Sequence, residues 1–181
     1  GIKTDLTTGL TYSYNGFKLE DITVLDSHQK ALTSNQLPEG SVLYFQISNV
    51  GNYTVVDGKV YLGCSMKITD SNNIILYSDD DLYKNSEGFD VSKARNPIVS
   101  ARLDNPLKAG NTYTVEIHFY DKKKPENVID ASVKIELTPS KVNIQHKEKG
   151  LSFEDIWFAE EKGKLSESKV KYGSTAAIVL K

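Results

Sequence analysis

The chain is short of several things, and each shortage excludes something. It holds one cysteine in 181 residues, so no disulfide can form within it and its cohesion must come from apolar packing. Charge of one sign is missing as well. Lys and Arg number 22 against 24 Asp and Glu, a formal net charge of −2, which leaves no basic footprint for nucleic acid or an anionic membrane surface. No run approaches the ~20 apolar residues that a membrane-spanning helix needs. Sustained helical spacing is also lacking, and the best candidate is a turn or two within residues 79–92. Catalytic signatures are absent: there is no Gly-rich phosphate loop, no Gly-x-Ser-x-Gly and no His-Glu-x-x-His. The three histidines, His28, His118 and His146, are scattered without the spacing of a zinc site. Neither an enzyme nor a resident cofactor is expected.

What is present is a repeat. Asn15-Gly16-Phe17-Lys18-Leu19-Glu20-Asp21-Ile22-Thr23-Val24 returns as Lys149-Gly150-Leu151-Ser152-Phe153-Glu154-Asp155-Ile156-Trp157-Phe158. Both copies then cross a polar loop and meet again at Gly40-Ser41 and Gly173-Ser174, each followed by an apolar run. Shared length and shared turn glycines predict tandem homologous modules. The second copy reaches Lys181 about where its second strand would end, so one complete module and the opening of another are expected. This gives a polar lead-in over 1–9, a first module over 10–140 and the beginning of a second over 141–181. A first module of roughly 130 residues is large enough to bury a core without staples. The leading Gly and the missing initiator Met suggest a processed start. The lead-in would then suit a tether below a lipidated cysteine.

Strand patterning dominates. Val60, Leu62, Cys64, Met66 and Ile68 alternate with Tyr61, Gly63, Ser65 and Lys67. Tyr113, Val115, Ile117 and Phe119 alternate in the same way with Thr114, Glu116, His118 and Tyr120. Further strands are predicted over 10–14, 17–25, 41–48, 74–77, 98–103 and 128–137, with turn signals at Asp57-Gly58, Asn72-Asn73 and Ala109-Gly110-Asn111 between them. One apolar and one polar face per strand means half-buried sheets, and hence two antiparallel sheets packed face to face.

Leu107-Lys108-Ala109-Gly110-Asn111-Thr112-Tyr113-Thr114-Val115 resembles the Leu-x-x-Gly-x-x-Tyr-x-Val stretch of immunoglobulin-like and fibronectin type III-like sandwiches. The resemblance implies an all-β, immunoglobulin-like antiparallel sandwich in which Tyr113 is structural, its hydroxyl bonding back to the preceding backbone. The antibody pattern of Cys, Trp and Cys is missing, so a divergent bacterial-type module is implied. The resemblance carries no function. Tandem sandwich modules behind a polar lead-in are similar to secreted or surface-anchored bacterial lipoproteins, which implies an extracytoplasmic location.

The candidate functional residues are few. Cys64 falls on the apolar face of its strand and reads as a small core hydrophobe. Asp79, Asp80 and Asp81, with Asp70 upstream, group hard oxygen ligands that would suit calcium, although an acidic run is usually a solvated loop. Tyr44, Tyr61 and Tyr120 lie opposite their strands' apolar rows. On neighbouring strands they would form a flat platform for sugar rings or a protein partner; the plainer reading is cross-strand pairing. Trp157 stands where the first copy has Thr23, and with Phe158 it marks a candidate interface, including self-association through 141–181. These features point to a non-catalytic binding, adhesion or spacer module. The alternatives are a carbohydrate-binding accessory module, or a protease inhibitor that presents the loop over 79–97.

Overall fold

The computed structural model describes residues 2–140 and, beyond them, the backbone of three short strands. It divides into two compact units, Gly1–Thr138 and Pro139–Lys181.

The first unit begins with β1 (Ile2–Thr4), β2 (Thr11–Asn15), β3 (Asp21–Leu25), β4 (Gln36–Pro38) and β5 (Val42–Ser48). It continues through β6 (Val55–Val56), β7 (Lys59–Val60), β8 (Leu62–Asp70), β9 (Ile75–Asp79) and β10 (Phe89–Asp90). A single helical turn, α1 (Val91–Ala94), leads to β11 (Ile98–Arg102), β12 (Thr112–Asp121) and β13 (Lys124–Thr138). The large sheet has the order β1-β2-β13-β12-β8-β9, with β4 adding in parallel to the end of β13. A smaller sheet has the order β11-β5-β3, and β10-β7-β6 forms a short ribbon.

Alternation in the sequence explains how the sheets meet. Val115 pairs with Ile68, Ile117 with Met66 and Phe119 with Cys64, and all six side chains are buried. Leu43, Phe45 and Ile47 of β5, with Ile22 and Val24 of β3, belong to the same hydrophobic cluster. The two sheets thus share one core, and the unit is an all-β sandwich. Full burial of a side chain the size of Phe119 is worth about 1.5–3 kcal/mol. Polar links also span the sheets. The Tyr12 hydroxyl on β2 donates to Asp21 on β3 at 2.6 Å, and burial followed by that carboxylate pushes the phenol's pKa up.

Several expectations need correction. Within the polar lead-in a strand forms that was not expected: Ile2–Thr4 pair with Ser13–Thr11 as the outermost strand of the large sheet, and the Asp5 carboxylate holds the Thr7 N–H and the Thr8 hydroxyl. The strand predicted over 17–25 starts only at Asp21, because Gly16 turns at φ +70° and sends Phe17 into the core. The alternating run from Val60 to Ile68 is not one strand but breaks at Tyr61, before which β7 pairs with β6 and β10 and after which β8 joins the large sheet.

In the second unit β14 (Ile156–Glu160) pairs with β15 (Gly163–Lys164) on one side and β16 (Ala177–Leu180) on the other. Its register repeats that of β3 with β5. Ile156 faces Leu180 and Phe158 faces Ile178, as Ile22 faces Ile47 and Val24 faces Phe45. Ile47 and Leu180 each stand seven residues beyond their glycine, Gly40 and Gly173. The bridge between Ala159 and Lys164 likewise matches the one between Leu25 and Ala31.

Candidate binding site

The outward side of the large sheet is polar because the same alternation that buries one side of each strand exposes the other. Registers put these residues in rows across the strands. One row runs Ser13, Asp130, His118, Ser65; the next runs Thr11, Ser132, Glu116, Lys67, Ser78. An open groove of about 450 Å³ lies over these rows, and Asp80, just past β9, also lines it. Five strands at the ~4.8 Å interstrand spacing give it a span of roughly 19 Å.

Among the groove's lining residues the long charged side chains are already paired, while the exposed Lys134 stands one row further along β13. Lys67 Nζ sits 2.8 Å from a Glu116 carboxylate oxygen, and His118 Nδ1 lies 2.7 Å from Asp130 Oδ1. Among the described residues, the hydroxyls of Ser13, Ser65, Ser78 and Ser132 and the carboxylate of Asp80 make no hydrogen bond or ion pair. Beside the groove the Tyr120 ring stacks on His118, with centroids 5.4 Å apart and planes 29° apart. That stacking depends on Gly63, the cross-strand neighbour of Tyr120, since any Cβ there would run into the tyrosine ring. What this face can do chemically is accept and donate hydrogen bonds over an extended, hydroxyl-rich surface.

The three tyrosines do not form one platform, which corrects that expectation. Tyr44 belongs to the small sheet, whereas Tyr120 belongs to the large one. Tyr44 lines a separate cleft of about 520 Å³ with Tyr77, Ser100 and Arg102. Tyr61, at the break between β7 and β8, is capped by Lys123, whose ammonium lies 4.7 Å from the ring centroid.

The calcium cluster is also corrected. Asp70 stands at the turn of the β8–β9 hairpin, where its Oδ1 accepts the N–H groups of Asn72 and Ile74, both at 2.8 Å. Asp79 to Asp81 stand at the hairpin's other end. Asp81 is committed to Lys122 at 2.6 Å and to the backbone N–H of Tyr83 and Cys64, and Asp79 faces Lys84 at 3.5 Å. Among the described residues no group of three or more His, Cys, Asp or Glu side chains is arranged to hold a metal ion.

Cys64 is fully buried, and burial, with the Asp81 charge adding to it, pushes its thiol up to about 12. The Tyr113 hydroxyl accepts the Lys108 N–H at 2.9 Å and lies 3.3 Å from the Lys108 carbonyl, to which it donates. The loop over 79–97 is fastened rather than presented. The Leu82 N–H donates to the Cys64 carbonyl at 2.7 Å, and Tyr83 packs edge-on against Phe89 and Phe119. Trp157 and Phe158 lie in β14 opposite Val179 and Ile178, and their side chains fall outside the described residues.

The groove residues are singled out by no motif. Glu116, His118, Ser65 and Lys67 show in the sequence as the polar half of an alternation, but only the sheet order brings Ser13, Ser78, Asp80 and Asp130 beside them.

An all-β sandwich with a polar groove across one sheet is the class that fold and site define. No family model matches the chain, and no curated protein matches it. Among solved structures, the chain is similar to the C-terminal domain of Wzt at 16% identity and a TM-score of 0.47, covering 80% of this chain and 87% of that one. A likeness of that degree assigns no residue a role. No helix among the described residues is long and apolar enough to cross a membrane.

Proposed function

We propose that this chain is a non-catalytic binding module of a secreted or surface-anchored bacterial protein, taking its ligand on the outward face of the large sheet. The observation that carries the reading is the groove lined by Ser13, Ser65, Ser78, Ser132 and Asp80, whose hydrogen-bonding capacity is unspent. The module is immunoglobulin-like and is followed by the start of a second copy; the tyrosine corner at Tyr113 and the repeated registers of β3–β5 and β14–β16 support this. Its work is attachment or spacing rather than turnover. The fastened loop over 79–97 weighs against the inhibitor alternative. Cosedimentation with isolated Gram-negative cell envelopes tests the site. The protein pellets with the envelopes and Ser65→Arg, which fills the middle of the groove, stays in solution; equal pelleting of the two would sink the assignment.

The carbohydrate-binding alternative is favoured by two features of the same face, its row of hydroxyls and the stacked His118–Tyr120 rings beside it. Periodate treatment of the envelopes should then abolish cosedimentation, and binding that survives treatment points to a protein ligand.

A further inference from the structure

We infer that this groove selects an uncharged saccharide and turns acidic ones away, an inference that rests on the binding-site reading above. The argument starts from what the face has left to offer. Lys67 and Glu116 neutralise one another, and His118 is occupied by Asp130. The unspent groups are four serine hydroxyls and the Asp80 carboxylate. A hydroxyl both donates and accepts, so a row of hydroxyls is matched by a ligand that presents hydroxyls of its own. A carboxylate only accepts, through two oxygens, and two neighbouring sugar hydroxyls supply two donors to it.

Charge then discriminates. Three carboxylates, Asp80, Glu116 and Asp130, line the groove against one lysine and one histidine, both already engaged. A uronate or sulfate entering it would meet hydroxyls and carboxylates but no unpaired cation among the lining residues, the nearest free ammonium on this face being Lys134 one row away. At physiological salt the screening length is about 8 Å, so carboxylates within the groove act on a ligand lying in it. A protein partner is a poorer match, because interface cores are built from apolar and aromatic side chains, and of the groove's apolar lining Met66, Ile117 and Ala131 are buried, which leaves Ile2 on the outermost strand as the one that is well exposed. The span across five strands suits a chain of several sugar rings rather than one.

Native-gel affinity electrophoresis tests this with neutral polysaccharides (mannan, glucan, galactan) or acidic ones (alginate, hyaluronate) cast into the gel. The full chain is run beside Asp80→Lys and Ser65→Arg, with circular dichroism confirming that both variants fold. Asp80 is exposed, so Asp80→Lys preserves the fold even where Ser65→Arg does not. At least one neutral polysaccharide retards the protein, both variants weaken that retardation about tenfold or more, and the acidic gels leave migration unchanged. Retardation by an acidic polysaccharide that Ser65→Arg abolishes overturns the charge selection and keeps the site. Retardation that neither variant alters overturns the site itself. No retardation in any gel overturns the saccharide inference, and leaves the binding module to stand or fall by cosedimentation.

Discussion

At the residue scale, Tyr113 shows how one side chain closes a local account of polar groups. Its ring is 5% exposed, and its hydroxyl serves both the N–H and the carbonyl of Lys108 across the turn that enters β12. Tyr113→Phe keeps the ring and removes both partners, leaving Lys108 backbone groups partly shielded from water. The expected cost is about 1–3 kcal/mol, read as a lower urea midpoint at unchanged slope. An unaltered midpoint would mean that water takes over both bonds and that the corner is ornamental to stability. Asp121 makes the contrasting case. It is fully buried, and its two oxygens accept the Thr54 and Lys123 N–H groups at 2.7 and 2.8 Å. Tyr113 is legible in the sequence because its partner is five residues away within a spaced motif. Asp121 is not, because Thr54 is 67 residues away and nothing local marks the pair.

At the element scale, the segment after β9 is held as though it were one more stretch of pairing. Cys64 donates its N–H to the Asp81 carboxylate and accepts the Leu82 N–H, while Lys122 from the β12–β13 turn bonds Asp81 and the Tyr83 carbonyl. Burial by itself would raise the Asp81 carboxyl, but the Lys122 ammonium and the N–H groups of Tyr83 and Cys64 outweigh it and hold the pKa below the ordinary carboxylate range. A folded-state pKa depressed in this way contributes stability that is fully present above the unfolded value, near 3.9, and is lost as pH falls through the folded one. Asp5 and Asp26 are lowered as well, by the Thr8 hydroxyl and the Lys30 N–H respectively. Urea midpoints measured between about pH 6 and pH 2.5 should therefore fall on acidification, and Asp81→Asn should flatten part of that fall. An unchanged pH slope in the variant would remove the Lys122 pairing from the acid response. Elements also show where sequence reading stops. The faces of β8 and β12 follow from alternation alone, yet alternation does not say which strand lies beside which. Tyr44, Tyr61 and Tyr120 group by face, but Tyr44 stands in the small sheet, Tyr120 in the large one and Tyr61 at the break between β7 and β8; Asp70 groups with Asp79 by proximity in sequence but stands at the opposite end of a hairpin. The groove depends on pairings such as Ser65 with His118, 53 residues apart, which only the closed sheet makes visible.

At the scale of the whole molecule, the question is whether the first unit depends on the second. Its core is one cluster running from Leu10 to Leu137, drawn from both sheets and closed by Tyr12 bonding across to Asp21. The edges of the cluster are covered from within: β4 lies against the end of β13, and the Tyr53 hydroxyl donates to the Ala94 carbonyl at 2.6 Å beneath α1. A unit of this size buries enough surface to fold without staples, which the single buried cysteine could not supply in any case. A chain ending at Thr138 should therefore unfold cooperatively, with a thermal midpoint within about 2 °C of the corresponding transition in the full chain. The repeated register in β14–β16 belongs to a separate unit. Scanning calorimetry on both chains decides the point. A midpoint lower by about 4 °C or more in the shorter chain corresponds to about 1 kcal/mol or more, and would show that residues 139–181 stabilise the sandwich and that the two units work as one.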